Sequence, residues 1–487
     1  MSRRRTPRKP ASTKAPDDGT RLGHLSDAEL FAELARRQMA KGVSSLEDIE
    51  LGAEAVGQFT KEELQSQTIA ALPPEDGTPK PCPNCGKPVP VKTKNRVRHF
   101  LTTAGELRLS RNYHYCKACK RGFYPRDIEL QLPEEGEVSG AMERRILDFG
   151  VNTSFEEAAQ RWCIHYPMPI SSNLVRRVVD RVGRRAEAAH SALTLQQACR
   201  PSPAEPPKTL VVAGDGSMLG TREGWKEAKV AVVDPGGSLI RDKGRRADPG
   251  VRYVAVLGDQ EEFRAALKAA LDAELADDVM NIVWLGDGAR ENWTMASDLC
   301  PFAIQILDLM HAIQNAVACA KVLMGEADPA LPLWEARIGQ LLDAPSPDAA
   351  ILELMDCLPY TTSDEQLDAL DKLIGYYRRN EKRMRYSEFR AKGLPIGSGI
   401  VESAHKHVLQ VRMKQAGQRW SIERGRRMVL LRATYRTAGP RRFHWAIRAA
   451  QMDPPSRPRT QLQNAPRRVK RRYVPSRGSP LNRAASI

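Results

Sequence analysis

The sequence predicts an α/β protein in which a mixed sheet is flanked by helices. Five apolar runs have the pattern of strands, at residues 209–217, 225–234, 251–259, 281–289 and 301–308. An amphipathic helix at residues 261–276 separates the third run from the fourth, and residues 309–440 have an almost continuous helical pattern. This order of three strands, helix, strand, helix and strand favours a mixed sheet with helices on its faces.

Composition divides the remainder of the chain around this α/β region. A Pro-rich linker at residues 198–209 precedes it, and two basic, Pro-rich ends are predicted to be disordered. The predicted regions are a basic tail (1–20), a helical region (21–77), a cysteine module (78–130), a second helical region (138–197), the α/β domain (207–445, with an all-helical insertion at about 312–394) and a basic tail (453–487).

The charge balance predicts a polyanionic partner. The 487 residues include 75 Lys and Arg against 59 Asp and Glu, a formal net charge of +16. The alternative is a solvated basic surface without a partner. No apolar run is long enough to cross a bilayer, and the basic N-terminus lacks the apolar stretch of a secretory signal, so we expect a cytoplasmic protein with no membrane partner.

Four of the nine cysteines form two matching pairs, Cys82-x-x-Cys85 and Cys116-x-x-Cys119, with thirty residues between the pairs. Two such pairs can offer four thiolates to one structural Zn²⁺, and the stretch between them has the pattern of a hairpin. This predicts a zinc ribbon, with Gly86 and Gly122 in turns of positive φ. A redox pair would not need a second matching pair. The basic residues of the module favour phosphate contacts: Lys87, Lys92, Lys94, Arg96, Arg98, Lys117, Lys120 and Arg121.

The other five cysteines are scattered, so they do not suggest a secreted disulfide framework. They are predicted to be reduced core residues in a reducing compartment: Cys163, Cys199, Cys300, Cys319 and Cys357.

Residues 154–188 could form a helix-turn-helix. Ser154 and Glu157 match a capping box at the start of the first helix, and the second helix has an apolar face with arginines around it. The second helix could enter a major groove. An ordinary helical hairpin with a solvated basic face fits the pattern equally well.

Two of the apolar runs end in the same way, one in Gly214-Asp215-Gly216 and the other in Gly286-Asp287-Gly288. If the two strands are neighbours, both carboxylates can face one hard cation such as Mg²⁺. A pair of such ions can stabilise the attacking and leaving oxygens of a phosphodiester. The alternative is that each motif is simply a turn.

A third acid is predicted at Glu402, in the segment LPIGSGIVESAHKHVLQVRMK. A helix is expected to start near Ser398, with an apolar stripe of Val401, Ala404, Val408 and Val411. Glu402 lies beside the stripe near the helix start, where the helix dipole favours a carboxylate. The same segment carries Lys406, Arg412 and Lys414, which suit a DNA backbone. Alternatively, Glu402 is a surface residue paired with Lys406.

The blocks GDGSM, GWKEAKVAVV, VWLGDGARENW, ILDLMHA and PIGSGIVESAHKHVLQVRMKQAGQRWS resemble the DDE transposases of bacterial insertion sequences, in particular the ISKra-type family. The resemblance covers roughly residues 78–445. It implies an RNase H-like core in which Asp215, Asp287 and Glu402 hold two Mg²⁺ or Mn²⁺ ions. It also implies DNA partners, both the element's terminal repeats and target DNA, and a homo-oligomer on DNA in the bacterial nucleoid.

The resemblance leaves several supporting roles open. Asp308 and His311 match an Asp-x-x-His signature, and His311 could contact DNA, orient the site or be a satisfied core histidine. Trp420, beside Arg419, could stack on an unpaired base or be a core residue. The alternatives to a transposase are a nuclease with the same core but no strand transfer, and a non-catalytic DNA-binding protein.

Overall fold

The computed structural model describes residues 26–40, 42, 44–133, 135–189, 191–200, 209–235, 250–274, 281–397 and 399–451. Both predicted basic tails lie outside these ranges. The chain forms two compact units, residues 1–143 and residues 144–487. Within the described ranges, no helix combines the length and apolarity needed to cross a membrane.

The first unit contains helices and an antiparallel hairpin. Its elements are α1 (Asp27–Met39), α2 (Leu46–Ala70), β1 (Lys80–Pro81), β2 (Pro88–Val89), β3 (Val91–Thr102), β4 (Gly105–Cys116), β5 (Arg121–Phe123) and α3 (Pro125–Glu129). β3 and β4 form the predicted hairpin, and β5 pairs with β4 on the other side. The hairpin turn ends at Gly105, whose φ of +119° suits glycine. The boundary between the units falls within helix α4 (Gly140–Asn152).

The second unit is built around a mixed five-stranded sheet in the order β10-β9-β6-β7-β8. β6, β7 and β8 are antiparallel neighbours, whereas β9 and β10 run parallel to β6. All five predicted strands form, and the predicted mixed sheet is confirmed. The bounds of its strands are β6 (Thr209–Thr221), β7 (Gly224–Asp234), β8 (Arg252–Val256), β9 (Asn281–Gly286) and β10 (Ile304–Leu307).

Helices cover the sheet, which explains why its strands are continuous apolar runs. Val212 and Ala213 of β6 and Trp284 of β9 are fully buried, in one core with helices that follow them in the chain. The helices up to the predicted insertion are α5 (Phe155–His165), α6 (Ser172–Glu187), α7 (Ala192–Cys199), α8 (Gln260–Glu274), α9 (Arg290–Leu299) and α10 (Leu309–Met324).

The predicted insertion at about 312–394 is helical, beginning within α10. It continues through α11 (Leu331–Leu342), α12 (Asp348–Asp356), a 3₁₀ turn (Leu358–Tyr360), α13 (Asp364–Asn380), a 3₁₀ turn (Glu381–Arg383) and α14 (Tyr386–Ala391). Tyr377 and Leu354 from these helices are fully buried in the same core as the sheet. The insertion is therefore part of the second unit's core.

The last segments are α15 (Gly399–Ala404), a π-helical stretch (His405–Gln410), α16 (Val411–Met413) and α17 (Ile422–Gln451). The predicted helix start near Ser398 falls at Gly399, while Ser398 itself lies outside the described residues. The predicted apolar stripe is wrong at its end, because Val411 is 51% exposed. A π-helical turn adds a residue to the helix and shifts the pattern after it, so Arg412 and Met413 take the buried positions.

The predicted linker at 198–209 does not separate the two units, because their boundary lies between residues 143 and 144. α6 and α7 pack against α17 and therefore belong with the sheet. Residues 201–208 of the linker lie outside the described residues.

A buried arginine joins α17 to the π-helical stretch. Arg432 is 4% exposed and donates hydrogen bonds to the carbonyls of His407, Val408 and Val151. A π-helical turn changes the pairing of backbone groups, and the guanidinium supplies donors for two of its carbonyls.

We expect Arg432→Met to destabilise the second unit by roughly 3 kcal/mol, because three buried carbonyls lose their donor. Chemical denaturation followed by circular dichroism measures this change. Arg441→Met, at an exposed arginine beyond the kink that Gly439 introduces into α17, is the control and should change the unfolding free energy by less than about 0.5 kcal/mol. Equal effects of the two substitutions would contradict the bridging role of Arg432.

Candidate active site at the sheet edge and a cysteine cluster

Three aspartates lie at one end of the parallel part of the sheet. Asp287 and Asp308 directly follow β9 and β10, whereas Asp215 lies within β6, two residues beyond the last residue that pairs with β9. The ladder pairs Ala213 with Leu285, which brings the following residues Asp215 and Asp287 to the same edge of the sheet. β10 pairs with β9 up to its last residue, and the next N–H, that of Asp308, donates to the Gly286 carbonyl at 2.8 Å. The predicted neighbouring placement of Asp215 and Asp287 is therefore present, with Asp308 beside them.

Asp287 is held in place by the residues that follow it. Its Oδ1 accepts hydrogen bonds from the Ala289 N–H at 3.0 Å and from Asn292 Nδ2 at 3.2 Å. Asn292 Nδ2 also donates to the Gly214 carbonyl at 3.2 Å, which connects the ends of β6 and β9. Sequence reasoning missed Asn292, although an amide five residues after a candidate metal ligand was a usable signal.

Position 288 requires glycine for two reasons, its backbone conformation and the lack of room for a side chain. Its φ is +97°, and a Cβ there would lie 2.5 Å from the ring of Tyr376. The Tyr376 hydroxyl donates to the Asp287 carbonyl at 2.7 Å. The glycine after Asp287 thus allows a helix of the insertion to fix the backbone of the candidate site.

Asp308 and His311 form a local pair at the start of α10. Asp308 is 2% exposed. Its Oδ1 caps the helix by accepting a hydrogen bond from the backbone N–H of His311 at 2.7 Å, and the same oxygen lies 3.2 Å from Nδ1 of the His311 ring. The hydrogen bond to Asp308 raises the pKa of His311, and the charges of Asp287 and Asp215 act in the same direction. The Asp-x-x-His signature therefore adds a proton-binding group beside the aspartates.

His405, which sequence reasoning also missed, contacts the first aspartate. It is 4% exposed, and its Nε2 lies 3.5 Å from Asp215 Oδ2. Lys414 Nζ donates to Ser217 Oγ on the same strand. The usable signal for His405 was its position three residues after Glu402, about one turn further along the predicted helix.

Glu402 lies on α15 with an exposed side chain. Within the described part of the chain, no hydrogen bond or ion pair joins Glu402 to Asp215 or Asp287. The predicted pairing of Glu402 with Lys406 is likewise not formed among these residues. Among the described residues, the carboxylate oxygens of Asp215, Asp287 and Glu402 do not form a cluster in which all of them lie within 4.8 Å of one another. The structure brings Asp215 and Asp287 to one edge and leaves Glu402 on an adjacent helix.

Two predicted DNA-contacting residues are buried instead. Arg412 is 1% exposed, donates to the Gly150 carbonyl at 3.4 Å, and stacks on Phe155 and Trp420. Trp420 is 6% exposed and donates through its indole N–H to the Met413 carbonyl at 3.2 Å. Trp420 is therefore a core residue, which was one of the two predicted alternatives. The prediction that Arg412 contacts DNA is wrong, because its side chain is buried and bound to other parts of the protein.

Other predicted cations do reach the surface. Lys406, Lys414 and Arg419 are exposed. The Arg419 guanidinium lies 5.2 Å from the ring centroid of Trp225, which is 62% exposed near the β6–β7 turn. Trp225 is therefore the aromatic residue that this end of the sheet presents to solvent.

The predicted two-helix motif forms as α5 and α6. Ser154 caps α5 as expected, whereas the Glu157 carboxylate pairs with Arg161 at 3.0 Å. α6 buries a broad face against α17, and among its arginines Arg177 and Arg184 are exposed while Arg181 is buried.

The four cysteines of the first unit form one cluster that could hold a zinc ion. Their sulfur atoms lie within 4.8 Å of one another, with 4.0 Å between Cys82 and Cys119 and 3.7 Å between Cys85 and Cys116. Sulfurs of a tetrahedral Zn²⁺ site at about 2.3 Å from the ion lie roughly 3.8 Å apart. A hydrogen bond from the Asn84 N–H lowers the pKa of Cys82, whereas contacts with the neighbouring sulfurs raise the pKa of Cys85.

Details around the cluster differ from the predicted module. Gly86 has the predicted positive φ of +70°, but Gly122 does not, and a Cβ there would lie 2.1 Å from the Tyr113 hydroxyl. Close packing therefore explains Gly122. Nearby His114 is buried, with Nδ1 2.9 Å from the Val89 carbonyl, and does not join the cluster.

The basic surface of this unit is mostly as predicted. Lys92 and Arg96 are exposed on β3, where each lies over a tyrosine ring of β4. Arg98 is instead structural, because it pairs with Asp127 at 3.2 Å. Also exposed are Lys87, Lys94, Lys117, Lys120 and Arg121.

The five remaining cysteines are free thiols. Cys199, Cys300 and Cys319 are buried as predicted, and Cys357 is partly buried. The core prediction for Cys163 is wrong, because its side chain is exposed on α5.

Comparison with known proteins gives a family. The model described as "Uncharacterised protein family (UPF0236)" matches residues 89–448, which include the whole β3–β4 hairpin and all five strands of the mixed sheet. The chain belongs to this family. The match contains Asp215, Asp287 and Glu402, whereas Cys82 and Cys85 of the UPF0236 protein lie before it.

No curated protein matches the chain. Five chains of solved structures match. One belongs to the Drosophila P element transposase strand transfer complex, with 9% sequence identity, coverage of 66% of this chain and 93% of that chain, and a TM-score of 0.25. A TM-score this low establishes neither the fold nor the activity.

We expect the purified protein to contain one Zn²⁺ per chain and Cys116→Ser to lose it, because the substitution removes one of four thiolates. Metal analysis by inductively coupled plasma mass spectrometry measures the content. Cys163→Ser, at an exposed thiol outside the cluster, should retain the metal. Zinc retained by Cys116→Ser, or lost from both variants, would argue against the cluster as the zinc site.

Proposed function

We propose that this UPF0236 protein is a DDE-type DNA transposase of a bacterial insertion sequence, with an RNase H-like core. The proposal depends on the β6–β9 register, which places Asp215 and Asp287 each two residues beyond the last paired residues, Ala213 and Leu285. Carboxylate oxygens beside a buried sheet suit Mg²⁺ or Mn²⁺, and a basic chain of net charge +16 suits DNA.

The position of α15 supports Glu402 as the third acid. The Leu309 N–H donates to the Ile396 carbonyl at 3.0 Å, which ties the chain before α15 to the end of β10. His405, after α15, lies against Asp215. Glu402 falls between these two anchors, three residues before His405. Its exposed carboxylate would turn toward the aspartates when a cation binds there.

The aspartates fit a divalent cation in chemistry and setting. Asp215 is 39% exposed, so its carboxylate can reach a cation that also binds a DNA phosphate. Asn292 fixes the orientation of Asp287, as partners of metal-binding carboxylates commonly do. Bound Mg²⁺ or Mn²⁺ would activate the attacking oxygen and stabilise the leaving oxygen of a phosphodiester.

The chain's own residues would bind and orient the DNA. Lys414 and Lys406 are exposed on the segment that follows Glu402, and Arg419 and Trp225 continue the surface along the β6–β7 ribbon. The first unit would add the exposed cations around its cysteine cluster. Cleavage at an element end would release a 3′-OH, which then attacks target DNA in the same site. Joining two ends requires at least two protein copies on DNA.

The direct test uses full-length protein, Mg²⁺ and a duplex that carries the DNA flanking the gene. We expect Asp215→Asn, Asp287→Asn and Glu402→Gln each to reduce strand nicking by about 100-fold or more, with DNA binding retained. Gel electrophoresis measures nicked and joined products.

The control for the charge change is Glu326→Gln, at an exposed acid outside the site. It should nick at the wild-type rate. Nicking without joined products would favour a nuclease, and DNA binding without metal-dependent nicking would favour a non-catalytic binding protein. Full activity of Glu402→Gln would remove this residue from the site.

A second prediction concerns the exposed aromatic residue. Stacking of a base on an aromatic ring contributes about 1–3 kcal/mol, so Trp225→Ala should weaken binding of single-stranded DNA by roughly 5- to 150-fold. Fluorescence anisotropy with a labelled oligonucleotide measures the affinity. Trp445→Ala removes another exposed tryptophan, on α17, and should leave the affinity unchanged. Unchanged binding by Trp225→Ala would exclude stacking at this residue.

A further inference from the structure

The imidazole of His405 has a buried nitrogen that lacks a hydrogen-bond partner. His405 is 4% exposed, and its Nε2 is fully buried without a partner among the described residues. The atom faces Asp215 Oδ2 at 3.5 Å. A buried polar atom of this kind in a folded protein calls for an explanation, such as a water or an ion that binds there.

The 3.5 Å between these two atoms is longer than a direct hydrogen bond and close to the separation of two ligands of one cation. N–H···O hydrogen bonds are typically about 2.7–3.2 Å long. Two ligand atoms that each lie about 2.1 Å from one cation are separated by roughly 3.0–3.4 Å. The other carboxylate oxygen, Asp215 Oδ1, accepts from the Gly216 N–H at 2.7 Å, which directs Oδ2 toward the imidazole.

The surroundings favour a well-positioned ring. Arg432 holds the carbonyls of His407 and Val408, so the helical segment that carries the ring has a rigid support.

We propose that His405 Nε2 and Asp215 Oδ2 are ligands of the same divalent cation. Because imidazole suits transition ions better than Mg²⁺, the site should bind ions such as Mn²⁺ and Co²⁺ more tightly than Mg²⁺. This inference rests on the proposed function for the role of Asp215 as a metal ligand. It adds a nitrogen ligand that the three predicted acids do not supply.

Pulsed electron paramagnetic resonance of full-length protein with bound Mn²⁺ tests the assignment, because it detects ¹⁴N coupled to the ion. We expect a ¹⁴N coupling in the wild type and in His311→Gln, and its loss in His405→Gln. The Mn²⁺ affinity of His405→Gln should fall by about 10-fold or more, while its Mg²⁺ affinity changes less.

A ¹⁴N coupling that is absent from the wild type, or that persists in His405→Gln, overturns the assignment. So does an equal loss of Mn²⁺ and Mg²⁺ affinity. If His405→Gln does not fold, ¹⁵N-histidine labelling of His311→Gln tests the same assignment, because a histidine coupling that is lost in this variant would point to His311 and overturn it.

The outcomes for this inference and for the proposed function are separable. A ¹⁴N coupling lost in His405→Gln, without DNA nicking by the wild type, supports the metal site and removes the transposase proposal. Mg²⁺-dependent nicking by the wild type without a ¹⁴N coupling supports the proposed function and removes His405 as a metal ligand.

Discussion

The parallel pairing of β6, β9 and β10 is the constraint on which the candidate site depends. β9 ends at Gly286 while β6 continues, and the register that aligns Ala213 with Leu285 also aligns the residues just beyond them. Asp215 and Asp287 are 72 residues apart in sequence, and this register places them on neighbouring strands at the same level of the sheet. A shift of one residue in either strand would turn one carboxylate to the opposite face.

Buried cations support the helical side of the site. Arg432 binds carbonyls of the π-helical stretch, and Arg412 stacks between Phe155 and Trp420 while it binds the carbonyl of Gly150. Both arginines connect the segment after Glu402 to the start of the second unit. The cations near the candidate site therefore fall into two groups. Buried ones hold the helical segments in place, and exposed ones, such as Lys406, face solvent.

The sequence could predict the features whose signals are local. Two Cys-x-x-Cys pairs indicate the cysteine cluster, and apolar runs ending in Gly-Asp-Gly indicate Asp215 and Asp287. It could not predict the burial of Arg412 and Trp420, because their charge and aromatic character suit DNA as well as a core. Their partner Phe155 lies more than 250 residues earlier in the chain. The π-helical turn likewise depends on Arg432, which lies on α17. The exposure of Val411 after this turn therefore has no signal in the neighbouring sequence.

Anomalous X-ray diffraction from crystals of the full-length protein grown with Mn²⁺ tests the central claim most directly. The account predicts a manganese peak within about 2.5 Å of carboxylate oxygens of both Asp215 and Asp287. Zinc at the cysteine cluster would give an internal reference in the same crystal. A well-ordered sheet edge without a manganese peak at saturating Mn²⁺, or strand ends that hold the two aspartates apart, would contradict it.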